Sequence, residues 1–229
     1  MNGALVVLGV AVASICLMSF IAHRSDEPGD CVEVQSSVED QSSLEEDLED
    51  IVAFVPLDEV TRILKDYLMY DEQIADTVDF IEDQKRFLLQ EFRNMFWMQF
   101  LTSLLRCNGL QVERWQSRIE DAWASKPKFV RADPSIACGG LTMMVSRILK
   151  ELPLEELHEL LVQKKRHSRS FRSLLRVLGS EYFAELCAAV EGNATLHRHY
   201  FWAREQGIEV TFALELLRDL FVYLTEDLR

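Results

Sequence analysis

Proline and glycine are scarce, at five and nine of 229 residues, which argues against a sandwich or barrel made of many short strands and turns. A basic surplus is missing as well. The formal charge is −14 and the pI about 4.8, so the chain lacks the cationic face that phosphate neutralisation needs, and nucleic acid is excluded as a partner. No nucleophile elbow, P-loop or dinucleotide-type glycine pattern occurs. The cysteines Cys16, Cys31, Cys107, Cys138 and Cys187 never stand in the C-x-x-C spacing of a zinc or redox site. His197 and His199 are two apart, which on a helix points them about 200° from each other, so they do not form a chelating pair. His158 and His167 have no recognisable catalytic partner. These absences predict a protein that is not an enzyme and holds no metal or cofactor.

Charge is also absent from the first 22 side chains, which are almost wholly apolar. Residues 1–22 read as a secretory signal peptide or, uncleaved, as an anchor formed by residues 3–22. The acidity is concentrated just beyond. Residues 1–50 hold eleven acids against Arg24 alone, a net −10, and the remainder contributes −4. Residues 23–43 therefore form an acidic leader without the apolar periodicity a packed element requires. Removal of Cys16 with the signal leaves four cysteines, a number compatible with two bridges without requiring them. Asn193-Ala194-Thr195 is a glycosylation sequon, permitted in an exported chain.

Apolar residues make up 48% of the chain, enough for a substantial core. Helical periodicity starts at Ser43, which forms an S-x-x-E capping box with Glu46 ahead of Leu44, Leu48, Ile51, Val52 and Val55. Pro56 opens a second helix with Ile63 and Tyr67 on its stripe, and Asp71 is placed to cap a third. A fourth helix is expected over Phe87–Leu105, where twelve of nineteen residues are apolar and Phe92, Phe96, Phe100 and Leu104 recur every four residues. Asn108-Gly109 ends it, and a fifth helix carries Trp115 and Trp123. Residues 126–140, with two prolines and two glycines, read as a linker between residues 44–125 and 141–229.

The programme then restarts. Val55-Pro56-Leu57-Asp58-Glu59-Val60 is answered by Leu152-Pro153-Leu154-Glu155-Glu156-Leu157, 97 residues on, and Asn108-Gly109-Leu110 by Gln206-Gly207-Ile208, 98 residues on. Two distant landmarks held at nearly one offset imply an internal duplication.

Val55-Pro56-Leu57-Asp58-Glu59 followed by Lys65-Asp66-Tyr67-Leu68 and Asp71 resembles the core of the insect allergen-related repeat family, which includes gut allergens, midgut microvillar proteins and nitrile-specifier proteins. The second unit departs from that pattern, with Lys164-Lys165-Arg166-His167 in place of the Asp-Tyr-Leu segment. The resemblance implies an all-α protein: two tandem repeats of about five or six helices each, forming one helical capsule around an apolar cavity. It further implies a secreted midgut carrier or scavenger of fatty acids or phospholipids, in contact with the microvillar membrane or peritrophic matrix. Candidate cavity residues are Ile63, Tyr67, Phe92, Phe96, Phe100, Leu104, Leu186 and Phe201. Two other readings stay open at this point. One is a non-enzymatic gut-surface protein with a packed interior, and the other a detoxification factor like the nitrile specifiers. The basic cluster of Lys164, Lys165, Arg166, His167, Arg169 and Arg172 reads as a solvated turn, or as an attractor for lipid carboxylates and phosphates.

Overall fold

The computed structural model describes residues 43–225; the signal or anchor segment and the acidic leader up to residue 42 lie outside them. The described residues form helices and connecting segments, with no strand among them.

Helix α1 spans Leu44–Ala53, and its start is fixed by the sequence: Ser43 accepts from the Glu46 amide while the Glu46 carboxylate accepts from the Ser43 amide at 3.0 Å. Helix α2 runs Leu57–Tyr70 behind Pro56. Asp71 caps α3, Glu72–Asn94, by accepting from the Ile74 amide at 2.9 Å. Helix α4 is Phe96–Cys107 and α5 is Val112–Ala124. After the connecting segment come α6 (Gly140–Glu151), α7 (Leu154–His167), α8 (Arg169–Leu178), α9 (Glu181–Glu191), α10 (Ala194–Glu205) and α11 (Val210–Thr225).

Helix starts recur at the spacing of the sequence landmarks. Helices α2 and α7 both have fourteen residues and both begin behind a proline of the same conformation, φ −72° and ψ 74° at Pro56 and φ −76° and ψ 76° at Pro153. Gly109 and Gly207 sit at φ +84° and +82° after α4 and α10, a left-handed conformation open to glycine at little cost. In both places the next amide closes a Schellman turn, Leu110 onto the Leu105 carbonyl and Ile208 onto that of Ala203. Ser168, 97 residues after Asp71, likewise caps its helix by accepting from the Phe171 amide. The third helix differs between the two units. It is continuous over 23 residues as α3 but is cut at Gly179-Ser180 into α8 and α9.

The units exchange their first helices. Helix α1 packs on α7 and α8, while α6 packs on α2 and α3; in the same reciprocal sense α4 lies on α9 and α10 on α3. Two buried clusters result. One joins Leu44, Phe92, Met98, Leu101, Phe183 and Leu186 from α1, α3, α4 and α9. The other joins Ile63, Tyr67 and Ile74 with Ala137 and the inner face of α6. Each fully buried side chain of this size contributes roughly 1.5–3 kcal/mol, and both clusters draw residues from either side of the 126–140 segment.

Polar groups lock the exchange. Asp47 of α1 is completely buried and meets Lys164 Nζ at 3.0 Å together with the Ser168 and Ser170 hydroxyls. Lys164 also pairs with Asp50. At the other crossing, the second oxygen of Asp71 accepts from the Gly140 amide at 3.1 Å, and Tyr67 donates its hydroxyl to the Cys138 carbonyl at 3.2 Å. The segment before α6 is tied to the end of α2 by Val130 and Asp133 amides on the Met69 and Tyr70 carbonyls.

Two expectations are corrected. The helix expected over Phe87–Leu105 is two helices, because Met95 adopts extended backbone (φ −78°, ψ 118°) between α3 and α4. The Gln99 side chain compensates by donating to the Arg93 carbonyl at 2.7 Å. The basic cluster is only in part a solvated turn: Arg166, His167 and Arg169 are exposed at the α7–α8 junction, but Lys164 is engaged with α1, and Arg172 donates to the Lys165 and Arg166 carbonyls at the end of α7, where a cation also meets the negative end of the helix dipole.

Candidate functional site

The break at Met95 sets the character of the surface. It re-phases the apolar stripe, so Met98, Leu101 and Leu105 turn inward while Phe96 turns out with 65% of its surface exposed. Phe96 and Phe100 gather there with Trp97 and with Tyr182 of α9, Phe100 to Tyr182 being 5.3 Å between ring centres. A second aromatic group lies on the reciprocal seam between α3 and α10. Trp202 meets Phe80 edge-on at 5.6 Å, and His199 lies between Trp202 and Phe87 at 6.3 and 6.5 Å. Phe87, Tyr182 and Phe201 are each more than half exposed, and Trp202 is 42% exposed. Large aromatic rings therefore crowd the surface where the two units meet.

The candidate cavity residues separate into distinct surroundings. Ile63 and Tyr67 are buried in the cluster against α6, and Phe92 and Leu186 in the cluster against α9. Phe96 and Phe100 belong to the first aromatic group, and Leu104 is half-buried on the same helix. Phe201 is exposed beside His197 and Tyr200. Two open hollows lie elsewhere. A groove of about 700 Å³ between α6, α7 and α11 has Leu149, Leu152, Pro153, Leu154, Leu216 and Tyr223 along it with Lys150 among its lining, and a smaller hollow of about 380 Å³ is bordered by His158, Val162, Arg166 and His167. The groove was not legible in the sequence, since Leu216 and Tyr223 of α11 lie some sixty residues beyond the consecutive α6 and α7 that form its other walls.

His199 is buried, and its Nδ1 has no hydrogen-bond partner. Burial pushes its pKa down from the usual histidine value, and Arg198 acts the same way against the weaker pull of Glu91. The neutral ring thus belongs to the folded state. Stability is then full above the unfolded value near 6.5 and falls as the pH drops from there through the depressed folded value. Urea unfolding at pH 7.5 and pH 5 should show a larger acid loss in the wild type than in His199→Phe. Equal losses would place His199 outside the acid response.

Asn193 caps α10, with its side-chain oxygen accepting from the Thr195 and Leu196 amides and its nitrogen donating to Glu91 of α3 at 3.1 Å. A glycan on that nitrogen competes directly with this cross-seam bond. Cys107 is in a disulfide, whereas Cys138 and Cys187 are not. No helix among the described residues is long and apolar enough to cross a membrane.

Among the described residues, a set of helices whose starts repeat after 96–98 residues defines a class of helical repeat proteins. Residues 43–214 match the insect allergen-related repeat family, described with nitrile-specifier detoxification, and the chain belongs to that family. It is similar to Protein G12 of Anopheles gambiae, with 22% identity over 184 residues that cover 78% of this chain and 87% of that protein.

Proposed function

We propose that this protein is a secreted carrier of acyl lipids, working by burial of fatty-acid or phospholipid chains and not by covalent catalysis. The lipid occupies an apolar space between the two repeats, reached by parting the α3–α10 and α4–α9 seams. The observation that carries this reading is the placement of Phe87, Phe96, Tyr182 and Trp202, which remain exposed on those seams beside two filled cores. An exposed apolar patch of this kind marks a binding surface. The groove beside Leu149, Leu154 and Leu216 offers a second apolar wall, with Lys150 nearby to meet a carboxylate. Export is supported by the disulfide at Cys107, which persists in oxidising compartments. The gut as the place of action comes from the family resemblance.

Affinity should track chain length. Each methylene moved from water contributes about 0.8 kcal/mol, roughly a fourfold gain in affinity. Fluorescent displacement on delipidated protein, run with saturated acids of ten to eighteen carbons, should show a steep rise. A flat series would contradict burial of the chain.

A further inference from the structure

We propose that the segment connecting α5 to α6 is a membrane-docking strap. It seats on an anionic lipid surface by inserting Phe129 and Val130 while Lys128 and Arg131 meet the headgroups. Residues 126–133 have no regular secondary structure, yet their backbone is fixed to the body. The Val130 and Asp133 amides donate to the Met69 and Tyr70 carbonyls, both at 2.9 Å, and Lys126 Nζ meets Glu82 of α3 at 2.8 Å. Pinned at these points, the strap presents its large apolar side chains to solvent. Val130 is 61% exposed and Phe129 41%, and Ile136 and Met143, further along the segment and at the start of α6, are exposed as well.

Exposed apolar residues grouped in this way mark a contact surface, and the charges beside them say what it contacts. Lys128 and Arg131 flank the pair and are exposed, and neither side chain makes a hydrogen bond or ion pair among the described residues. The acids within reach are engaged elsewhere. Glu82 accepts from Lys126 and from the Trp123 indole, and one oxygen of Asp133 accepts from the Ser135 amide and hydroxyl. The chain as a whole is strongly acidic, with a formal charge of −14. At physiological salt, however, charges more than about 8 Å away are largely screened, so the two local cations set the field at the strap.

An aromatic and a branched aliphatic side chain between two cations suit the boundary of a bilayer. The apolar groups enter the acyl region, and the long stems of Lys128 and Arg131 reach back to phosphate and carboxylate headgroups. A stable protein partner would call for roughly 20–30 residues on this side, far more than the strap offers. The docking stands apart from lipid carriage, because its partner is a bilayer surface and not a single acyl chain. Should both hold, the strap brings α3, the helix that carries Phe87 of the seam, to a source of lipid.

Co-sedimentation of the secreted full-length chain with vesicles tests this, using phosphatidylcholine alone and phosphatidylcholine mixed with phosphatidylserine. The expected result is partition onto the mixed vesicles that weakens with added sodium chloride and is much lower on phosphatidylcholine. Lys128→Gln combined with Arg131→Gln should lower it about 25-fold, roughly fivefold for each cation. Phe129→Ser combined with Val130→Ser should lower it roughly tenfold or more. All four side chains are exposed, so circular dichroism should stay native in both variants, and fatty-acid displacement should be unchanged. Unchanged partition in both variants would overturn the proposal, as would partition equally strong on phosphatidylcholine alone. Loss of partition and of fatty-acid displacement together would mean that the substitutions act on the fold, and would overturn it too. Retention by membrane-free proteins of the secreting tissue, lost in both variants while vesicles retain no chain, would assign the strap to a protein partner instead.

Discussion

Replacing Lys164 with methionine should lower the unfolding free energy by about 3–5 kcal/mol, the range for removing one partner of a buried ion pair. Asp47 has no exposed surface, and Lys164 Nζ meets it 3.0 Å away from a side chain only 14% exposed. The methionine keeps the stem of the lysine and removes the charge, so the buried carboxylate loses an ion-pair partner while keeping the Ser168 and Ser170 hydroxyls. A domain with 5–15 kcal/mol in total would lose a large part of its stability. Asp47→Leu combined with Lys164→Met should recover much of it, because two apolar groups replace two buried charges. Urea denaturation of the four members of this cycle measures the coupling directly. A single-mutant loss below about 1 kcal/mol would mean that the pair behaves as a screened surface bridge, and the exchange of first helices would then lack its main polar lock.

Phe92→Ala and Phe96→Ala should have opposite consequences although the residues lie four apart. Phe92 is buried against α4 and α9, so its truncation should cost about 3–5 kcal/mol. Phe96 is mostly exposed, and Phe96→Ala should change stability by no more than about 0.5 kcal/mol. Its effect should appear in lipid uptake. If half the ring's surface meets an acyl chain, the loss is roughly 1–2 kcal/mol, a five- to thirtyfold drop in affinity. Trp202→Ala tests the reciprocal seam in the same way. A core-sized loss of stability at Phe96 with unchanged uptake would mean that these rings are ordinary packing.

The contrast between Phe92 and Phe96 also shows where the sequence stops being informative. Pro56 and Pro153, Gly109 and Gly207, and the Ser43–Glu46 box are local punctuators whose backbone preference is set by their own chemistry. They were readable, and with them the repeat spacing and most helix starts. The break at Met95 carries no such mark. An apolar residue in an apolar run adopts extended backbone because Gln99 takes over a freed carbonyl and because α4 then lies on α9. From sequence alone, Phe92, Phe96, Phe100 and Leu104 form one stripe; in the fold that stripe is split between core and surface. The role of Lys164 was hidden for a different reason. Its partners Asp47 and Asp50 lie more than a hundred residues earlier, and they meet it only because the first helices are exchanged. Separation in sequence likewise hid the contribution of α11 to the groove beside α6 and α7, and the stacking of His199 on Phe87.

Lipid carriage is tested most directly by what the native protein contains. The chain should be purified from its secreting tissue without detergent, extracted with organic solvent, and its acyl content quantified by mass spectrometry against protein. The expected result is at least one mole of fatty acid or phospholipid per mole of chain, with chains of sixteen carbons and longer enriched over shorter ones. Protein that is monomeric, fully folded and free of acyl lipid, and that takes up none when offered long-chain acids, would contradict the account.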